Sequence, residues 1–238
     1  MPRLLLTATH NKVKMNIVFD LDGTLIDSAP DIQSVASTVL GRMHKPALSL
    51  QETRDFIGEG GAVFVSRMMA ARGIPETPAS HADLYKQFLS VYEFAVDKAV
   101  FYPGAFDTLV QLKADGHRLG LCTNKPERPA RAVIAHMHLE PIFDAVMAAG
   151  MIDSRKPDPD MLLQTIRDLG GGSTLYVGDS EIDAETARRA RVPFALYSGG
   201  YRKVPVSEIL HDWVFDDFEG LPGIVAGLVA GTDTHRSS

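Results

Sequence analysis

Cysteine occurs once in the 238 residues, at Cys122, and tryptophan once, at Trp213. A lone thiol excludes an intrachain disulfide and a zinc site built from several cysteines, and it fits a reducing compartment. Long apolar runs are missing too. None approaches the roughly 20 residues of a membrane-spanning helix, and Leu4, Leu5 and Leu6 fall far short of a secretory signal core. The expected location is therefore cytoplasmic. Basic residues number 24 against 30 acidic ones, a formal net charge of −6, which argues against general affinity for nucleic acid or an anionic membrane. Internal repeats and long low-complexity segments are absent. The partner left by these absences is a small molecule, bound by a monomer or a homodimer.

What is present is 45% hydrophobic content, enough to bury one large domain or one domain with an insert. Short apolar runs at 16–21, 118–122, 145–148, 174–177, 194–197 and 213–215 end abruptly in polar residues or glycine, as strands buried on both faces do. Between them lie helical spacings such as Ala130, Val133, Ile134 and Met137, or Leu162, Thr165, Ile166 and Leu169. Alternation of this kind predicts an α/β fold with a doubly wound parallel sheet of Rossmann-like form. Residues 28–100 break the alternation: they offer only helical patterns, opening at Ser28 with Pro30 and Asp31 in the first turn. The expected organisation is a discontinuous core, 15–29 and 101–231, with a small all-helical cap inserted at 30–100. Residues 1–14 and 232–238 read as a disordered leader and tail, with Met15 a candidate functional start.

In an open parallel sheet, ligands collect at the carboxyl ends of the strands. The first strand ends in D-L-D-G-T at 20–24, the second in C-T-N-K-P at 122–126, and the fourth in G-D-S-E-I-D at 178–183, while R-K-P-D-P at 155–159 precedes a helix. Carboxylates, a hydroxyl and ammonium groups thus share one edge. Such residues suit phosphoryl transfer through an aspartyl intermediate, provided that the repulsion between carboxylate and phosphate is removed. Mg²⁺ removes it, with Asp20 and Asp179 as carboxylate ligands. A threonine and a lysine can hold the remaining phosphate oxygens. Asp22, two residues after the nucleophile, is placed to protonate the leaving oxygen and then to deprotonate the attacking water.

These four segments, in this order, resemble the motifs of the haloacid dehalogenase superfamily of phosphohydrolases: F-D-L-D-G-T at 19–24, Thr123, Lys156 and G-D-S-E-I-D at 178–183. The resemblance implies Asp20 as nucleophile, Asp22 as acid and base, Thr123 and Lys156 as phosphate binders, and a metal held by Asp20, Asp179, Asp183 and the carbonyl of Asp22. It also implies that the helical insert is a mobile cap. Gly23, Thr24 and Asn124, which lie inside these motifs, are expected at the substrate. T-N-K-P at 123–126, R-K-P-D-P at 155–159, I-G-E-G-G at 57–61 and Gly200-Tyr201 are similar to phosphoglycolate phosphatases, which implies 2-phosphoglycolate as substrate. Glu181 and Ile182 depart from that pattern, where many relatives carry arginine and asparagine. The loop at Gly58, Glu59, Gly60 and Gly61 is expected to pack against the leaving group, since glycine lets the backbone approach closely.

Plainer readings stand beside these. Lys125 is placed much as Lys156 is, and only the family order favours Lys156 as the phosphate binder. Asp27 reads as electrostatic support for the first cap helix; Arg67 reads as an exposed helical arginine, with contact to a substrate carboxylate as its alternative, and Asp216-Asp217 as a solvated turn, with added charge at the site as its alternative. Cys122 ends an apolar run and is expected to be buried and inert. Other phosphatases or phosphoglucomutase-type enzymes acting on sugar phosphates or nucleotides share the same core residues. A receiver-type phosphoaccepting module shares several of them, but has no use for Asp22 or a cap.

Overall fold

The computed structural model describes residues 14–234. Most of the expected leader and the last residues of the expected tail lie outside the described residues. The chain opens with β1 (Asn16–Phe19), every residue of which is buried. A two-residue β2 (Ile26–Asp27) follows, then four helices: α1 (Ala29–Arg42), α2 (Leu50–Phe56), α3 (Gly61–Ala71) and α4 (Pro78–Tyr92). The chain returns through β3 (Val100–Phe101). It then alternates α5 (Ala105–Ala114), β4 (Arg118–Pro126), α6 (Glu127–His136), β5 (Ala145–Ala149), α7 (Asp160–Asp168), β6 (Thr174–Gly178), α8 (Glu181–Ala190), β7 (Phe194–Tyr197), β8 (Trp213–Phe215) and α9 (Leu221–Thr234).

Six strands form one sheet in the order β5-β4-β1-β6-β7-β8, and every pairing in it is parallel. The chain fills one side of β1 with β4 and β5 and then crosses to the other with β6, β7 and β8, so the winding reverses at β1. A crevice opens at the carboxyl end of such a switch point, directly after Phe19. Helices cover both faces over two apolar clusters, one around Ile17, Phe19, Leu109 and Val177, the other around Val18, Met161, Leu162 and Tyr176.

Helices α1 to α4 build a third cluster of their own, in which Val35, Val39, Phe64, Val65, Met68, Leu84 and Phe88 are buried. Tyr201, from the loop after β7, joins it from the core side. Two chain crossings connect the insert to the core, and they pair with each other: β2 and β3 are antiparallel, Ile26 opposite Phe101 and Asp27 opposite Val100. Asp31 of α1 fastens the second crossing, accepting hydrogen bonds from Lys98 N at 3.1 Å and Ala99 N at 2.8 Å. This ribbon had not been expected, because two-residue strands carry no readable period. One other expectation is corrected. Helix α9 runs on through Thr234, so residues 232–234 are helical rather than part of a disordered tail. Among the described residues no helix is long and apolar enough to cross a membrane.

The sheet and α7 meet closely at Gly120 of β4, where an added Cβ would lie 2.8 Å from Thr165 Cγ2 and 3.0 Å from Leu169 Cδ1. Overpacking of this kind costs about 1–3 kcal/mol. Gly120→Ala should therefore lower the urea midpoint without changing the slope of the transition; an unchanged midpoint would contradict the packing described.

Candidate active site

Asp20 directly follows β1 and continues its ladder, its N–H bonding Val177 O at 2.9 Å. The chain then turns sharply: the N–H groups of Leu25 and Ile26 both return to Leu21 O. Gly23 enables this turn with φ +91°, and a Cβ there would stand 2.5 Å from Asp179 Oδ2. Asp179 follows β6 and is held at both oxygens, by Thr24 Oγ1 at 2.8 Å and by Tyr201 N at 2.6 Å. Asp183 is brought in by the start of α8. Ser180 is the N-cap and Asp183 its reciprocal N3 partner, so the spacing of a capping box delivers a carboxylate to the sheet edge.

Lys156 lies among these acids, 2.8 Å from Asp20 Oδ1 and 2.7 Å from Asp183 Oδ1. Its Nζ also donates to Tyr176 OH at 3.0 Å. The segment carrying it is tied to β4 by Asn124, whose Oδ1 accepts from Lys156 N at 2.9 Å while its Nδ2 donates to Lys156 O at 3.0 Å. The same Nδ2 donates to Gly58 O in the insert at 3.0 Å. Thr123 Oγ1 accepts from Lys125 N at 3.1 Å, which leaves the hydroxyl proton free for a ligand. Asp22 is engaged by Ser28 Oγ and by Lys125 Nζ, 3.0 Å from its Oδ1.

One carboxylate oxygen each from Asp20, Asp179 and Asp183 lies within 4.8 Å of the others, and all three residues are buried. One lysine does not balance three such charges. Burial, opposed by Lys156 and reinforced by Asp183 and Asp22, pushes the Asp20 pKa up to about 7. Burial and the charges of Asp183 and Asp20 push Asp179 well above the usual carboxylate range. Burial acts on Asp183 too, but Lys156 and hydrogen bonds from Ser180 and Tyr176 outweigh it and hold its pKa low. Asp20 Oδ1 is buried and lacks a hydrogen bond of good geometry, although Lys156 is within ion-pair distance. A hard divalent cation fits this donor set: oxygen ligands, excess negative charge and an orphaned carboxylate oxygen. Asp183 is the least available ligand, since its two oxygens already accept from Lys156, Tyr176 and Ser180.

This arrangement has known counterparts. The sequence matches the haloacid dehalogenase-like hydrolase family over residues 17–197. The chain belongs to that family. It is 42% identical over 212 residues to a phosphoglycolate phosphatase of Rhodobacter capsulatus, covering 89% of this chain and 96% of that one. A phosphoglycolate phosphatase of Caulobacter vibrioides is 33% identical over 220 residues, covering 91% and 93%. Among solved structures, a predicted phosphoglycolate phosphatase from Haemophilus somnus 129PT superposes with a TM-score of 0.83 at 27% identity, covering 91% of this chain and 99% of that one.

Set in the haloacid dehalogenase-like frame, the expected residues divide by what they touch. Asp20, Asp22, Thr123, Asn124, Gly58, Gly60 and Gly61 line one cavity of about 40 Å³ between the sheet edge and the insert. Asp20, Lys156, Asp179 and Gly58 line its smaller neighbour of about 10 Å³. Glu59 lines neither. It turns outward to pair with Arg67 and lies 3.7 Å from Lys203, so charge opposite in sign draws it away from the cavity. Arg67 is thereby a loop anchor rather than an unpaired surface arginine. Gly23 and Thr24 serve Asp179, as described, and Asn124 spends its amide on joining insert to core. Asp27 does accept from Ala29 N at the start of α1, at 3.2 Å. It also accepts from Tyr201 OH at 2.6 Å and pairs with Arg54 at 2.8 Å, a larger role than helix support. Cys122 is buried, and burial pushes its thiol up to about 12, far from a nucleophile. The residue that sequence reasoning undervalued is Lys125, whose spacing of two from Thr123 along a strand was the available signal.

The pKa values also set a pH dependence. Raised folded-state values mean that the metal-free protein is favoured while Asp20 and Asp179 are protonated. That stability is fully present below the ordinary carboxylate pKa of about 4 and is lost as pH rises through about 7. The melting temperature of chelator-treated protein should fall by about 5 °C or more between pH 5 and pH 8, and millimolar Mg²⁺ should raise it more at pH 8 than at pH 5. A flat profile with no response to the ion would contradict this electrostatic account.

Proposed function

We propose that this hydrolase is a Mg²⁺-dependent phosphomonoesterase that converts 2-phosphoglycolate to glycolate and phosphate through a phospho-Asp20 intermediate. The observation that carries the reading is the convergence of Asp20, Asp22 and Thr123 on one cavity of about 40 Å³, with Lys156 2.8 Å from Asp20. An Asp20 oxygen attacks phosphorus as the ester P–O bond breaks, and Asp22 gives its proton to the departing alkoxide. Asp22 then takes a proton from water, whose oxygen attacks phosphorus and releases phosphate from Asp20. Lys156 and Thr123 hold the equatorial phosphate oxygens, where charge spreads in the transition state. Asp20, Asp179 and the Asp22 carbonyl would hold Mg²⁺, with Asp183 orienting Lys156 beside it. The ion supplies charge neutralisation between carboxylate and phosphate.

The relatives named phosphoglycolate phosphatase support the two-carbon acid as the leaving group. The helices between residues 30 and 100 act as the cap in this scheme, with Gly58, Gly60 and Gly61 against the leaving group, and the chain is expected to work in the cytoplasm.

Phosphate release from 2-phosphoglycolate, glucose 6-phosphate and AMP tests the proposal, each with Mg²⁺ and with chelator. The kcat/KM for 2-phosphoglycolate should exceed the others at least tenfold and vanish with chelator. Asp20→Asn should remove turnover beyond detection, and Asp22→Asn should cost about 10²–10⁴, with both variants still unfolding cooperatively and Asp20→Asn melting no lower than metal-free wild type at pH 8. Substantial turnover by Asp20→Asn would sink the mechanism, and a preference for the larger substrates would sink the substrate.

A further inference from the structure

We infer that Lys125 is a specificity residue whose ammonium takes the carboxylate of the leaving group, selecting an anionic two-carbon phosphomonoester over a neutral one. The inference rests on the phosphoglycolate reading above and assigns recognition of the substrate's second charge to a side chain that the hydrolytic steps leave unused.

Burial makes Lys125 unusual. Its side chain is 2% exposed, and among the described residues it is the sole cation lining the cavity over Asp20 and Asp22. Much of the rest of that wall is apolar, with Ile32, Ile57, Phe64 and Phe88, or glycine backbone. An ammonium removed from water costs several kcal/mol unless its partners offset the loss. Lys125 Nζ donates to Asp22 Oδ1 at 3.0 Å, to Tyr92 OH at 2.6 Å and, at a longer 3.4 Å, to Asp22 Oδ2. Of its three N–H donors the one on that long contact is the least engaged, and it is the one a carboxylate in the cavity would take.

The positions also fit the substrate. Asp22 must reach the ester oxygen to protonate it. In glycolate the carboxylate carbon lies two bonds beyond that oxygen, and Lys125 Nζ lies one hydrogen bond beyond Asp22. A carboxylate placed by the reacting phosphate thus arrives beside the ammonium. Tyr92 reinforces the fit. It accepts from Lys125 and so keeps its own O–H proton to donate. Burial and the charges of Asp22 and Asp31 raise its pKa well above the ordinary value, so that proton stays in place. Lys125 belongs to β4 and Tyr92 to the end of α4, so a carboxylate gripped by both joins core and cap at the moment of reaction. Arg67 is not a rival for this role, because it is engaged by Glu59 and by Phe56 O.

The test compares kcat/KM for 2-phosphoglycolate with that for ethyl phosphate, which keeps the two carbons and the ester but lacks the carboxylate. Wild type should favour 2-phosphoglycolate at least tenfold. Lys125→Met should reduce the ratio of the two constants at least tenfold, mainly by raising KM for 2-phosphoglycolate. Lys125→Arg, which keeps the charge, should retain most of the ratio, and Tyr92→Phe should lose a smaller part of it. Should Lys125→Met melt early, Lys125→Gln supplies the same comparison with a polar side chain of similar reach. If both constants fall together and the ratio survives in Lys125→Met and Lys125→Gln, Lys125 acts only through Asp22 and the inference is overturned. If wild type itself shows no preference for the carboxylate, the phosphoglycolate reading fails along with the inference.

Discussion

Three buried carboxylates held close together constrain everything else at this site. With separations of at most 4.8 Å and an effective dielectric of about 20, each ionised pair repels by at least about 3 kcal/mol. A chain keeps such an arrangement only where other parts of the fold hold it against that force. Here nearly every surrounding polar group is committed to doing so. Thr24 and the Tyr201 N–H hold Asp179, Ser180 and Tyr176 hold Asp183, and Lys156 lies between Asp183 and Asp20. The repulsion that these donors leave unbalanced is what a divalent cation would offset in the proposed reaction.

The topology explains why the carboxylates meet. Asp20 and Asp179 follow β1 and β6, which are neighbours on either side of the point where the winding reverses. Thr123 and Lys125 come from β4, on the other flank of β1. The insert leaves the core immediately after the turn that carries Asp20 and Asp22, so its attachment and the chemistry share a few residues. Asp27 shows this coupling most clearly. On one strand of the β2–β3 ribbon, it binds Tyr201 of the core and Arg54 of the insert, while the backbone N–H of Tyr201 binds Asp179. Tyr201 thereby links the insert to the carboxylate cluster, as Asn124 does by bonding both Gly58 O and Lys156.

The six sheet strands were legible because they read as unbroken apolar runs, most of them buried on both faces, and the acidic turns after them were legible because residue type alone reports their chemistry. The β2–β3 ribbon was not, since two residues show no alternation. Residues 232–234 read as tail because Thr232, Asp233 and Thr234 are polar, whereas a helix already running in α9 can carry a short polar end. In the site, Asp20, Asp22, Asp179 and Asp183 were placed by motif and spacing. Glu59 was misplaced because its position depends on Arg67 and Lys203, from parts of the chain that no local pattern connects. Lys125 and Lys156 could be ranked only by motif order. Both are buried and both meet an aspartate, but Lys156 faces Asp20 and Lys125 faces Asp22.

Burial and mutual repulsion leave the metal-free carboxylates partly protonated, so a divalent cation that binds them must displace protons. Calorimetric titration of the metal-free protein with Mg²⁺, repeated at pH 7 in buffers of different ionisation enthalpy, measures that exchange directly. The account predicts one ion bound per chain with net release of protons, because Asp20 titrates near 7 and Asp179 well above its usual range; Asp179→Asn should lose both the binding and the release. Binding with no proton release, or no binding at all, would contradict it.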